Sequence, residues 1–204
     1  FRRVMEGKEV NKLQKLENRA KEDEDKGEVY SSLKLNVMSV ALHNIECSHL
    51  PSEPEDGDKH DWIPFPCGSF VDMCLDAFFA LGQDRNKKFL DIGCGIGTKV
   101  MLADVLFDSY GFDINKDYTR LARQIGCKNV WYQDAMTFEG YGEYDLLYFY
   151  RPFKDNVLED RFESHVCQQM KEGSFIAPMH TAIDWSELPG MKQQSRWIYQ
   201  KRLT

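Results

Sequence analysis

The chain lacks any apolar run approaching the ~20 residues of a membrane-spanning helix, so no membrane partner is expected. No signal-peptide pattern is visible either, and the first residue is Phe1 rather than Met, which leaves a missing native N-terminus open. Its six cysteines, at 47, 67, 74, 94, 127 and 167, contain no C-x-x-C pair, and Cys94 sits among glycines where a disulfide would be awkward. A reduced, cytoplasmic compartment is the simpler expectation. Cys47, His49, His60 and Cys67 match no standard ligand spacing, so no metal is expected. The composition shows no basic excess either. The formal charge of −7 argues against tight nonspecific binding to nucleic acid, though a local basic patch would escape that count. Disorder is excluded by a hydrophobic content of 42% and four Trp, and 204 residues suffice for one sizeable core.

Against these absences one stretch stands out, Phe89-Leu90-Asp91-Ile92-Gly93-Cys94-Gly95-Ile96-Gly97-Thr98. Its first four residues read as the end of a buried parallel strand. Three glycines at alternate positions then allow a sharp turn and close approach of a ligand, and Thr98 to Ala103 opens a helix. Strand, glycine turn and helix together form a nucleotide-type site at the carboxyl edge of a sheet, although a tight turn alone also accounts for a lone G-x-G. A second short strand, Tyr110-Gly111-Phe112-Asp113, ends in an acid about twenty residues later, the spacing at which an acid takes ribose hydroxyls. There is no regular G-x-G-x-x-G, because Thr98 follows Gly97, and this argues against a nicotinamide cofactor.

The remaining chain divides at Glu28. Residues 1–28 carry eight basic and eight acidic residues with a thin apolar stripe of Val10, Leu13 and Leu16, and read as a charged helical or partly disordered arm. Residues 29–204 form one domain. It begins with an apolar stretch that favours helix, followed by a loop at Leu50–Gly57. Pro64 and Pro66 then impose an extended lead-in to a helix over 70–81, with Val71, Cys74, Leu75, Phe78 and Phe79 on one face. After Asp113, helices are expected over 115–125 and 156–171, the latter facing the sheet through Val157, Leu158, Phe162, Val166 and Met170 and ending at a glycine cap, Gly173. Strands are expected at 129–133, 144–150 and 174–178, with a final strand over 195–203. The alternation predicts an α/β fold: a Rossmann-like, doubly wound, mostly parallel sheet with helices on both faces. The C-terminal part is short for seven strands, so an edge strand is expected to be absent or rebuilt.

The wording of the first two motifs, D-I-G-C-G-I-G-T and G-F-D-I-N, resembles the class I S-adenosylmethionine-dependent methyltransferases from about Trp62 to Trp185. The W-x-P-x-P lead-in at Trp62 is similar to that of the ATP-synthase c-subunit lysine methyltransferase-like group. The resemblance implies S-adenosyl-L-methionine as cofactor. It implies that Trp62 and Phe65 cover it, and that Asp91, Gly93, Cys94, Gly95 and Gly97 lie near its amino-acid moiety. Asp113 and Ile114 would meet the ribose, and Asp134 and Ala135 the adenine, with a helix-cap role for Asp134 as the alternative. Tyr150-Arg151-Pro152-Phe153 departs from the motif of methylases acting on base amino groups, which lowers that substrate class. Tyr150 would wall the methyl-transfer site, Arg151 would hold an anionic group and His180 would act as a base, with aromatic packing at a strand end and an incidental histidine as alternatives. The W-x-P-x-P lead-in and the context of the fourth strand make a protein side chain the expected acceptor, ahead of a small molecule. The competing readings are a nucleic-acid methyltransferase, another adenosyl-binding enzyme and a noncatalytic cofactor-binding module.

Overall fold

The structure, a computed structural model, describes residues 29–49 and 66–202. The charged arm 1–28 and the lead-in carrying Trp62 and Phe65 lie outside the described residues. Five α-helices are described: α1 (Val29–His49), α2 (Cys67–Ala80), α3 (Thr98–Ala103), α4 (Lys116–Gln124) and α5 (Asn156–Gln169). The strands are β1 (Lys88–Ile92), β2 (Asp108–Asp113), β3 (Val130–Tyr132), β4 (Leu146–Tyr150), β5 (Phe175–Met179), β6 (Met191–Gln193) and β7 (Tyr199–Lys201). They form one seven-stranded sheet in the order β3-β2-β1-β4-β5-β7-β6. The first five run parallel, β7 pairs antiparallel with β5, and β6 antiparallel with β7. The expected Rossmann-like architecture is therefore observed. Among the described residues no helix is long and apolar enough to cross a membrane.

Strand alternation divides the core. Phe89, Leu146, Tyr148, Phe175 and Ala177 face α1 and α2, while Leu90, Ile92, Leu147, Phe149 and Ile176 face the opposite layer with Phe162 and Val166 of α5. The same alternation sends Asp91 to the α1–α2 face, since it stands two residues after Phe89 and pairs in register with Tyr148. Asn115 caps α4 by accepting the N–H groups of Asp117 and Tyr118, and Asp155 caps α5 by accepting those of Val157 and Leu158. After β1 the chain winds outward through β2 and β3, then returns to β4 on the other flank of β1. The carboxyl ends of β1 and β4 thus border the switch point where open α/β sheets hold ligands.

Several sequence expectations need correction. The final strand is shorter than expected and has a partner: β6 and β7 form an antiparallel hairpin that completes seven strands. Their three-residue lengths are too short for a period to be legible. Helix α2 begins at Cys67, directly after Pro66, whose carbonyl accepts the Phe70 N–H, and Phe79 is exposed rather than part of its core face. Helix α5 ends at Gln169, and Gly173, with φ +78°, belongs to the turn that enters β5. Val157 is 67% exposed, whereas Glu159 and Glu163 are fully buried on that helix.

The two buried acids displace the expected apolar face because they hold loops. Glu163 accepts the Ala182 N–H at 2.6 Å and the Trp185 indole N–H at 2.7 Å, and Glu159 accepts the Phe153 N–H at 2.9 Å. Both loops follow strands at the ligand edge. Replacing Glu163 with Ala leaves the buried Trp185 indole N–H and the part-buried Ala182 N–H without their acceptor, so a loss of about 1–3 kcal/mol in urea unfolding is expected, with a shift in Trp185 emission. A change of only a few tenths would contradict this assignment.

Candidate functional site

The site is built by the turn that leaves β1. Gly93, Gly95 and Gly97 all take left-handed φ values of +81°, +55° and +77°, a conformation costly for any residue with a Cβ. The turn closes on itself through the Gly97 N–H to the Cys94 carbonyl at 2.9 Å, and it folds over β2 because Gly93 and Cys94 both donate to the Phe112 carbonyl at 2.9 Å. The three glycines differ in what they clear. A Cβ at Gly93 would meet only Pro152, at 3.8 Å, whereas one at Gly97 would stand 2.9 Å from the Cys127 sulfur and 3.4 Å from Ala122. Gly97 therefore also serves packing against α4 and the Cys127 turn.

Asp113 ends β2 with its carboxylate turned back to the turn. Oδ2 accepts the Gly95 N–H at 2.8 Å and Oδ1 accepts the Asn115 N–H at 2.7 Å. Ile114 follows, half-buried. The Gln133 N–H donates to the Asp113 carbonyl at 3.1 Å, which brings the segment after β3 alongside. Asp134 and the buried Ala135 are thereby set beside Asp113 and Ile114 on one edge. Asp134 accepts the Met136 N–H through Oδ1 at 2.9 Å, so the capping role is realised for one oxygen. Its other oxygen has no hydrogen-bond partner among the described residues.

Asp91 is 2% exposed, and its carboxylate makes no hydrogen bond among the described residues. Burial pushes its pKa up to about 8; the neighbouring Asp113 and Glu46 push the same way, and the Lys99 ammonium works against them. Burial likewise raises the Cys94 thiol, with Asp91 and Asp113 adding to the effect, so Cys94 stays a neutral lining group.

At the ends of β4 and β5 the structure brings Tyr150, Arg151 and His180 together. The Tyr150 and His180 rings lie 4.9 Å apart at 54°, and the Arg151 N–H donates to the Met179 carbonyl at 3.1 Å. Arg151 and His180 both hold positive φ, +36° and +55°, a strained backbone for residues other than glycine. The Arg151 Nη2 donates to Asn156 Oδ1 at 2.6 Å, while its buried Nε has no partner among the described residues. Nearby Glu159 keeps one buried oxygen without a partner among the described residues. Its pKa is raised to about 7, first by burial and also by Glu163, against the Phe153 N–H and Arg151.

Sequence reasoning missed Glu46 and Lys99. Glu46, 1% exposed near the end of α1, accepts the Lys99 ammonium at 3.0 Å and 3.3 Å and also the Thr98 hydroxyl. Residues 98 and 99 open α3 directly after the glycine turn. Ligand atoms of His43, Glu46 and Cys67 lie within 4.8 Å of one another, a grouping that differs from the cysteine–histidine set read from the sequence. The cation within reach of that grouping is Lys99, whose ammonium is also 3.5 Å from the Cys67 sulfur. An acid and a base 53 positions apart carry no local pattern that could have paired them.

No family model and no curated protein matches the chain. Its fold is shared with solved structures. An RNA methyltransferase from Salinibacter ruber in complex with S-adenosyl-L-homocysteine superposes with a TM-score of 0.50 at 15% identity, over 69% of this chain and 94% of that one. An amino pentose methyltransferase from Micromonospora echinaspora with bound S-adenosylmethionine gives 0.48 at 15% identity, over 54% of this chain and 49% of that one. Magnesium protoporphyrin IX methyltransferase from Synechocystis gives 0.44 at 20% identity, over 61% of each chain. This chain thus spans about half the length of the amino pentose enzyme it matches.

The raised pKa of Asp91 has a testable sign. Its contribution to stability is fully present below the ordinary value of 3.8 and is lost as pH rises through about 8. The urea midpoint of unliganded wild type should therefore fall relative to that of Asp91→Asn between roughly pH 4 and pH 8. A difference that does not vary with pH would contradict an Asp91 held protonated by burial.

Proposed function

We propose that the chain is an S-adenosylmethionine-dependent methyltransferase. The observation that carries this reading is the Asp113 carboxylate bound to the Gly95 and Asn115 N–H groups beside a turn of left-handed glycines. That edge has the features a nucleoside with a charged amino-acid tail requires. The backbone at Gly93 leaves space that a side chain would fill. The Asp113 carboxylate lies where ribose hydroxyls can donate to it, and Ile114 and Ala135 offer apolar surface for a base beside the second oxygen of Asp134. The buried Asp91 carboxylate, which makes no hydrogen bond among the described residues, suits a cationic group, since a cation there lowers its pKa and restores its charge.

When bound, S-adenosylmethionine supplies a methyl group already activated on a sulfonium. The task of the chain is then to hold the acceptor in line and keep water out. Tyr150 forms a wall at the end of β4, Arg151 offers a guanidinium to an anionic acceptor group, and His180 beside Tyr150 is the base nearest that wall. Two of the three non-glycine residues with positive φ among the described residues, Arg151 and His180, sit at this edge, as is common where a backbone is held for function.

The acceptor we favour is a protein side chain. The W-x-P-x-P lead-in supports this through its similarity to the c-subunit lysine methyltransferase-like group, in which Trp62 and Phe65 would cover the cofactor. The five free, buried cysteines described are consistent with work in a reduced, cytoplasmic setting.

Calorimetry with S-adenosylmethionine and S-adenosylhomocysteine tests the cofactor. Micromolar binding is expected, weakened on the order of tenfold or more by Asp113→Ala through loss of charge-assisted hydrogen bonds. Absence of binding to the intact protein would overturn the proposal. Transfer of a tritiated methyl group into the protein fraction of a cell extract, rather than into RNA or small molecules, is the outcome expected for the acceptor.

A further inference from the structure

Helix α1 is apolar on two sides. Toward the sheet, Leu35 and Leu42 are buried in the core, and Met38 and Ile45 pack against it. On the far side Val37 is 63% and Val40 62% exposed, one turn apart, with Ala41 and Asn44 exposed beside them. The other exposed large apolar side chains among the described residues, Phe79, Tyr132 and Val157, stand on three separate elements, and the Tyr132 ring lies under the Lys116 ammonium. The outer face of α1 is thus where uncovered apolar side chains stand together. A helix that is apolar all round is normally covered all round. The spacing here is that of a helix–helix seam, since Leu33, Val37, Val40 and Asn44 recur at intervals of four, three and four.

We propose that the segment carrying Val10, Leu13 and Leu16 folds back along α1 and packs on Val37 and Val40. The chain enters α1 directly from residues 1–28, so this segment is joined to the strip by a short link. In that link residues 21–26 are all charged and Gly27 follows, a composition for a turn in water, and its length falls within the roughly 2–8 residues that commonly join packed helices. An antiparallel return through it sets Leu16, Leu13 and Val10 opposite positions 33, 37 and 40, at nearly equal distances from its middle. The stripe lies in a segment otherwise rich in Lys, Arg and Glu, which supplies the polar outer side that such a cover needs. Magnitude decides against a second copy of the chain as the occupant. Two valines and their partners cover on the order of a few hundred Å², short of the roughly 1,200 Å² that a stable contact between separate chains buries. A short tether makes the same contact intramolecular, at an effective concentration on the order of mM, and a small area then suffices. The arm becomes the outer brace of the helix whose Glu46 holds Thr98 and Lys99 after the glycine turn.

Photo-crosslinking on the full chain tests the contact. With p-benzoylphenylalanine in place of Val40, irradiation should join that position to a peptide within residues 8–20 of the same chain. A mixture of unlabelled and isotope-labelled protein tells this product from one made between chains. The same probe in place of Val157 should give no product with the arm. Hydrogen exchange supplies an independent readout. Leu13→Asp/Leu16→Asp, which changes only the arm, should speed exchange over residues 36–44 by about fivefold or more and leave residues 88–92 and 146–150 unchanged. Absence of a Val40 product with the arm, or unchanged exchange over residues 36–44 in the double variant, would overturn the proposal. So would equal acceleration in the central strands. Products joining two chains at Val40 would overturn it as well and assign the face to a second copy.

Discussion

The carboxylate of Asp113 ties the end of one strand to the turn that leaves its neighbour. One oxygen holds the Gly95 N–H and the other holds the Asn115 N–H, so β2, the glycine turn and the start of α4 are fixed by a single side chain. The turn can accept that hold only because its glycines adopt left-handed backbone. Everything else at the edge is placed relative to this contact. The Gln133 N–H on the Asp113 carbonyl brings in the segment after β3, and Pro152 beside Gly93 brings in the loop after β4.

Buried charge is the second organising feature. On the α1–α2 face, Glu46 reaches Lys99 and Asp91 makes no hydrogen bond among the described residues; on the other face, Glu159 and Glu163 of α5 hold the loops that follow β4 and β5. Carboxylates removed from water are expensive unless bonded; Glu46, Glu159 and Glu163 are bonded to an ammonium, backbone N–H groups and an indole, whereas burial pushes the Asp91 pKa up instead. The same groups that stabilise the loops therefore fix where Tyr150, Arg151 and His180 stand. Fold and site share their polar contacts at this edge.

Much of the fold was legible because it rests on local patterns. Phe89–Ile92 reads as a strand from its apolar residues, and Gly93, Gly95 and Gly97 read as a turn because few other residues take that backbone. Asp113 was legible from its spacing after the glycines. The parts that were not legible depend on partners distant in the chain. Glu159 and Glu163 look like solvent-facing positions on a helix until the loops at Phe153 and Ala182 are folded over them. The packing of Gly97 against Cys127 is a contact thirty positions along the chain, with no local pattern to show it. The β6–β7 hairpin escaped because three residues cannot display an alternation, and its pairing with β5 is decided by the sheet.

The central claim is that the carboxyl edge of β1 and β2 is a cofactor site. Amide chemical shifts recorded during titration with S-adenosylhomocysteine test it most directly. The account predicts the largest changes at residues 91–99, 113–115 and 134–136. Changes centred instead on the groove lined by Glu139, Gly140, Gly142, Glu143 and Gln169, at the opposite end of the sheet, would contradict it.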